Sequence, residues 1–158
     1  MPKSVFGRSS RVAVVSVIAS LGVGALALAA VAGTSIPVAV DSAAAITRHV
    51  PIDRKMLAPG AAAVSAGSTT SYATADGTVR IGIWESEPTT LKLEMPILEY
   101  IHVLEGAAVI RDESGNSWTY KPGESFVLPQ GFKGTAQLVG HFKKEFVDVT
   151  PQGSISAH

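Results

Sequence analysis

The chain contains no cysteine. That one absence excludes disulfide stapling, thiol catalysis and anchoring through a lipidated cysteine. Charge is also sparse: 16% of residues are charged, and 13 Lys and Arg balance 13 Asp and Glu. No basic run or basic–aromatic stripe interrupts this balance. Phosphate recognition needs clustered cations, so nucleic acid is not an expected partner. Histidine is scarce as well, with four in 158 residues, at His49, His102, His141 and His158. Beyond the first 45 residues no window of helical length carries a 3.6-residue apolar period, which excludes a helical bundle.

The N-terminal part is of a different kind. Lys3, Arg8 and Arg11 precede an uncharged, apolar run over residues 12–40, and Ala43, Ala44 and Ala45 follow. A basic start, an apolar core and small residues at a cleavage point make a secretory signal, with cleavage expected after Ala45 or one residue earlier. The alternative is a retained anchor, because the 21 residues of 12–32 are enough to cross a bilayer. Either reading exports the domain, to the periplasm or beyond, and leaves this segment as its only contact with membrane. The remainder, 46–158, carries 10 Lys and Arg against 12 Asp and Glu, a net charge of −2. So small a domain has a limited core, and dimerisation would help to bury apolar surface.

Residues 46–73 carry Pro51, Pro59 and a run of Gly, Ala, Ser and Thr. They read as an extended arm or linker with at most a short helical turn. From Gly77 onward short apolar or alternating runs are separated by turn residues. Strands are expected near 78–85, 91–95, 99–105, 107–111, 117–120, 124–128, 134–139 and 142–149. Asp112–Asn116 reads as a hairpin loop, and Gly106 and Gly131 as places where the chain reverses. Eight short strands at this spacing indicate an all-β sandwich or barrel over 74–150, followed by a flexible tail at 151–158.

Glu99 lies seven positions before Gly106, and Gly123, Pro129 and Gly131 follow at intervals of six and two. This order resembles the two signature motifs of the cupin superfamily, whose fold is a jelly-roll β-barrel. Within it, Gly82-Ile83-Trp84-Glu85, Leu104-Glu105-Gly106, Gly123 to Pro129, Gly131 to Thr135 and Lys144 resemble the small cupin domain of (S)-ureidoglycine aminohydrolase. The resemblance implies a metal site of three His and one Glu. Here the first two His positions fall on Leu93 and Met95, or on Lys92 and Glu94, and the last on Gly134. Only Glu99 remains, and one carboxylate cannot hold a catalytic ion that needs about three protein ligands. No cofactor is therefore expected. If any metal such as Mn bound, Glu99 with His141 would be its ligands.

Alternation puts Glu99 on one face with Ile101 and Val103 and His102 on the other, and the cupin resemblance implies that the Glu99 face points into the barrel. A carboxylate among apolar neighbours must find a donor or shift its pKa upward. The pocket candidates are Glu99, Trp84, Glu85, Met95, Phe126 and Lys144. Lys144 either reaches the cavity or pairs at the surface with Glu145 or Asp148. Three functions follow: an exported cupin domain binding a small polar or anionic molecule, an aminohydrolase-like metal enzyme acting on a ureide or related amine, and a structural module that forms a homodimer. The missing imidazoles favour the first and lower the expectation of catalysis.

Overall fold

A computed structural model describes residues 37–151. The expected leader lies almost wholly outside them, as does the tail from residue 152. Among the described residues no helix is long and apolar enough to cross a membrane. The structure is all-β: β1 (His49–Pro51), β2 (Ser65–Ala73), β3 (Val79–Ser86), β4 (Thr90–Glu94), β5 (Leu98–Asp112), β6 (Ser117–Tyr120), β7 (Ser125–Leu128) and β8 (Lys133–Val149). One 3-10 turn, Arg54–Met56, is capped by Asp53, whose carboxylate accepts the Lys55 amide at 2.9 Å.

Two long strands organise the barrel. The outer half of β8, residues 142–149, lies between β3 and residues 98–103 of β5, and β7 pairs with the far side of that segment. Residues 133–139 of β8 lie between β4 and residues 107–112 of β5, and β6 closes that side. β5 and β8 thus run through both halves, which gives the jelly-roll cupin architecture. β2 extends the first half through β3, and β1 pairs with β2.

The sequence reading broke each long strand in two. It reversed the chain at Gly106 and put His141 in a turn between two strands. In the structure neither strand reverses. Gly106 and Gly140 have φ of +70° and +71°, and the β5–β8 register shifts between residues 103 and 107. A Cβ at Gly106 would lie 2.5 Å from the His141 carbonyl oxygen and 2.7 Å from that of Val139. Glycine therefore permits a bulge at which paired strands bend together without separating. The bulge also changes which residues face inward. On β5, Glu99, Ile101 and Val103 are buried before it, and Ala108 and Ile110 after it. Period-2 alternation cannot survive an inserted residue.

The segment read as an arm enters the sheet. Residues 65–73 form β2 and hydrogen-bond to β3, so the sheet begins before residue 74. Strand propensity alone undervalues this run of Ser, Gly, Thr and Ala, and pairing to β3 decides it. The core gathers Leu93, Ile101, Val103, Leu128, Phe142 and Phe146 from four strands.

Candidate functional site

Charges occur inside the barrel in a short ladder. Arg80 on β3, Asp148 on β8, Glu99 on β5 and Leu128 on β7 are consecutive cross-strand partners. One step along, Gly82, Phe146, Ile101 and Phe126 form the next row, and beyond them lie Trp84, Lys144 and Val103. Alternation puts these residues on the inner face because β3, β5 and β8 hold the same register there. Gly82 leaves room for the Phe146 ring, which would approach an added Cβ to 3.0 Å.

Glu99 and Lys144 are 0% and 1% exposed. The Lys144 ammonium donates to Glu99 Oε1 across the Phe146 row. It also sits 5.3 Å from the centre of the Trp84 ring, a cation–π distance. Arg80 lies over the Phe146 ring at 5.1 Å, and its guanidinium is 3.6 Å from Asp148 Oδ2. Glu99 Oε2 and Asp148 Oδ1 are buried with no hydrogen-bond partner. Burial pushes the Asp148 carboxyl up to about 7, and the neighbouring Glu99 charge adds to this, while Lys144 and Arg80 oppose it.

Of the expected pocket residues, Glu99, Trp84 and Lys144 meet in this cluster. Lys144 makes no surface pair; its partner is Glu99 in the interior. Phe126 belongs to the adjoining core, stacked on Tyr120 with ring centres 4.1 Å apart. Met95 is buried, and its backbone bonds to Phe132 and Gly131 hold the loop after β7. Glu85 follows Trp84 directly and so faces the other way. Its carboxylate meets two imidazoles instead: His49 Nε2 is 2.8 Å from Oε1 and His141 Nε2 3.8 Å from Oε2. Gly67 makes this contact feasible, since a side chain there would strike the His49 ring at 2.9 Å.

Glu99 and His141 are not brought together. His141 is exposed beside Glu85 and Glu87, while Glu99 is enclosed with Lys144. His102 is on the outer face, where its Nδ1 is 2.8 Å from Ser125 Oγ. Asp148 and Arg80 complete the cluster and were missed as site residues. The signal for both was alternation: Arg80 shares parity with Trp84, and Asp148 with Lys144.

An apolar cavity of about 10 Å³ is lined by Trp84, Leu91, Ile101, Phe126 and Leu138 among others, with the aliphatic stem of Lys144 on one side. A volume of that order accommodates about one water molecule.

The EutQ-like cupin domain family matches residues 73–146. A protein of unknown function of the DUF861 family from Pseudomonas syringae pv. tomato superposes with a TM-score of 0.62 at 25% identity, covering 70% of this chain and 46% of that one. The chain thus spans about half the length of that protein. The EutQ protein of Clostridium difficile superposes with a TM-score of 0.50 at 17% identity, over 65% of this chain and 82% of that one. No protein of curated function matches. The match over 73–146 takes in a little under half of the chain, and the two long bulged strands and the glycines at positive φ agree with a cupin jelly-roll fold there.

Proposed function

We propose that this cupin domain is an exported interaction module that acts as a homodimer through the outer face of β7, β5 and β8. The observation that carries the reading is an apolar patch on that face. Leu98, Tyr100, Val127 and Val149 are between 37% and 49% exposed. Leu98 pairs with Val149 and Tyr100 with Val127 across adjacent strands, so the four are contiguous. A contiguous apolar patch on a small domain marks an interaction surface. A two-fold axis would bring the same patch of two copies together. The polar rim is supplied by Ser125, whose hydroxyl meets the Tyr100 hydroxyl at 2.9 Å and His102 at 2.8 Å. Export rests on the leader over 1–45.

Light scattering on the full chain tests this directly. The expected mass is that of a dimer at micromolar concentration, and Tyr100→Lys with Val127→Lys should give a folded monomer. A wild-type monomer throughout that range would sink the proposal.

A second reading keeps the small polar or anionic ligand expected from the sequence. The cavity beside Lys144 and Trp84 favours that position, and binding there requires the interior to open. The aminohydrolase-like reading rests on sequence resemblance, and the engagement of Glu99 by Lys144 weighs against its metal.

A further inference from the structure

The cupin resemblance implies a metal ion bound at the inner face, and the residues present do not fit one. Of the four motif positions only Glu99 is a ligand. Leu93 and Met95, the inward-facing residues of the first motif, are core hydrophobes, and Gly134 has no side chain to offer. Lys92 and Glu94 point outward and pair with each other at 2.6 Å. Among the described residues no group of three His, Asp or Glu is placed to hold an ion. The carboxylate that remains is already engaged, because Lys144 donates to its Oε1.

We propose that Lys144 is a tethered cation that takes the position of the metal, and that with Arg80 it makes this barrel indifferent to divalent ions. Two carboxylates, Glu99 and Asp148, face two cations, Lys144 and Arg80, on three neighbouring strands. The chain's own side chains therefore supply the two positive charges that a divalent ion would bring. An ammonium suits this place better than an ion would. It is compact and needs no set of several ligands, and its stem packs along the apolar wall. The Trp84 ring lies 5.3 Å from the ammonium and adds a cation–π contact. An incoming divalent ion would have to expel Lys144 and leave that charge buried without a partner, which is strongly unfavourable.

The test uses the full chain, read by unfolding temperature and elemental analysis. Wild type should contain no stoichiometric metal. Its unfolding temperature should move by less than about 1 °C with chelator or with millimolar Mn²⁺, Ni²⁺ or Zn²⁺, since a ligand that does not bind the native state cannot stabilise it. Lys144→Ala should melt more than about 10 °C lower, because it leaves Glu99 buried alone. Propylammonium should restore part of that loss and leave wild type unchanged, whereas tetramethylammonium at equal ionic strength should restore none. Glu99→Gln combined with Lys144→Met removes both charges, and should fold without responding to propylammonium. Stoichiometric metal in wild type, or a rise of its unfolding temperature with any of the three ions, overturns the proposal whether or not the variants fold. So does a Lys144→Ala protein as stable as wild type.

Discussion

On the inner face of β5 and β8, Glu99, Lys144 and Asp148 are buried; on the outer face of the same strands Leu98, Tyr100 and Val149 are exposed. Polarity is distributed against the usual rule, with charge inside and large apolar groups outside. Each inversion needs its own compensation. Inside, a buried charge is tolerable only when paired, and the pairing is intramolecular: Lys144 with Glu99, and Arg80 with Asp148. Outside, none of the described residues covers the patch, and a second copy is the proposed cover. The contrast teaches that one sheet can be closed on its inner side by side-chain chemistry and still be open to association on its outer side.

The most disruptive way to break the contrast is to unpair the inner face. Glu99→Ala leaves Lys144 as a lone buried ammonium, and the expected loss is about 3–5 kcal/mol by chemical denaturation. Glu99→Leu with Lys144→Met should recover most of it, since a well-packed apolar replacement removes both desolvation penalties. A double variant as unstable as the single one would show that packing, not charge, governs the position.

Next comes pH. The Asp148 carboxyl is raised from 3.8 to about 7. Below about pH 4 it is protonated in both folded and unfolded chains. Between there and about 7 the folded protein holds a proton that the unfolded chain has released, so this group's contribution to stability falls as pH rises, and it levels off above 7. The shift corresponds to a loss on the order of 4 kcal/mol across the window. Unfolding followed at pH 5 and pH 7.5 should show the decline in wild type and a flatter profile in Asp148→Asn. Parallel profiles for the two proteins would remove Asp148 from the account.

The bend between the halves is a smaller lever. Gly106→Ala combines an unfavourable positive φ with contact against two carbonyl oxygens. A loss of about 2 kcal/mol is expected from thermal unfolding, and a neutral result would mean that the bulge relaxes easily. The outer face should show the mildest effect on folding. Leu98→Ser is expected to weaken self-association about tenfold by sedimentation, equivalent to about 1.4 kcal/mol, with little change in unfolding of the monomer. Unaltered association would move the interface elsewhere.

Much of this was legible in the sequence. The turn residues, the hairpin loop and the interval from Glu99 to Gly106 carried the fold class, because they record local backbone geometry. Alternation about Ile101 put Glu99 and His102 on opposite faces without any tertiary information. The continuity of β5 and β8 was not legible: a glycine at positive φ serves a reversal and a bulge equally well, and only the register of the partner strand distinguishes them. For the same reason the segment 65–73 read as an arm, since its weak propensity gave no notice of the strand waiting to pair with it.

By itself the sequence determined an all-β domain, the opposite faces of Glu99 and His102 and the loss of the imidazoles, all of which follow from local period and residue identity. Tertiary structure alone decided the fate of Lys144. It stands 45 residues from Glu99, beside Lys143 and Glu145 in a polar stretch from which it could equally reach the cavity or pair at the surface. Cross-strand register between β5 and β8 turned it inward and set its ammonium on the carboxylate. A long-range pairing of this kind is set by the assembly of the sheet, and no local pattern encodes it.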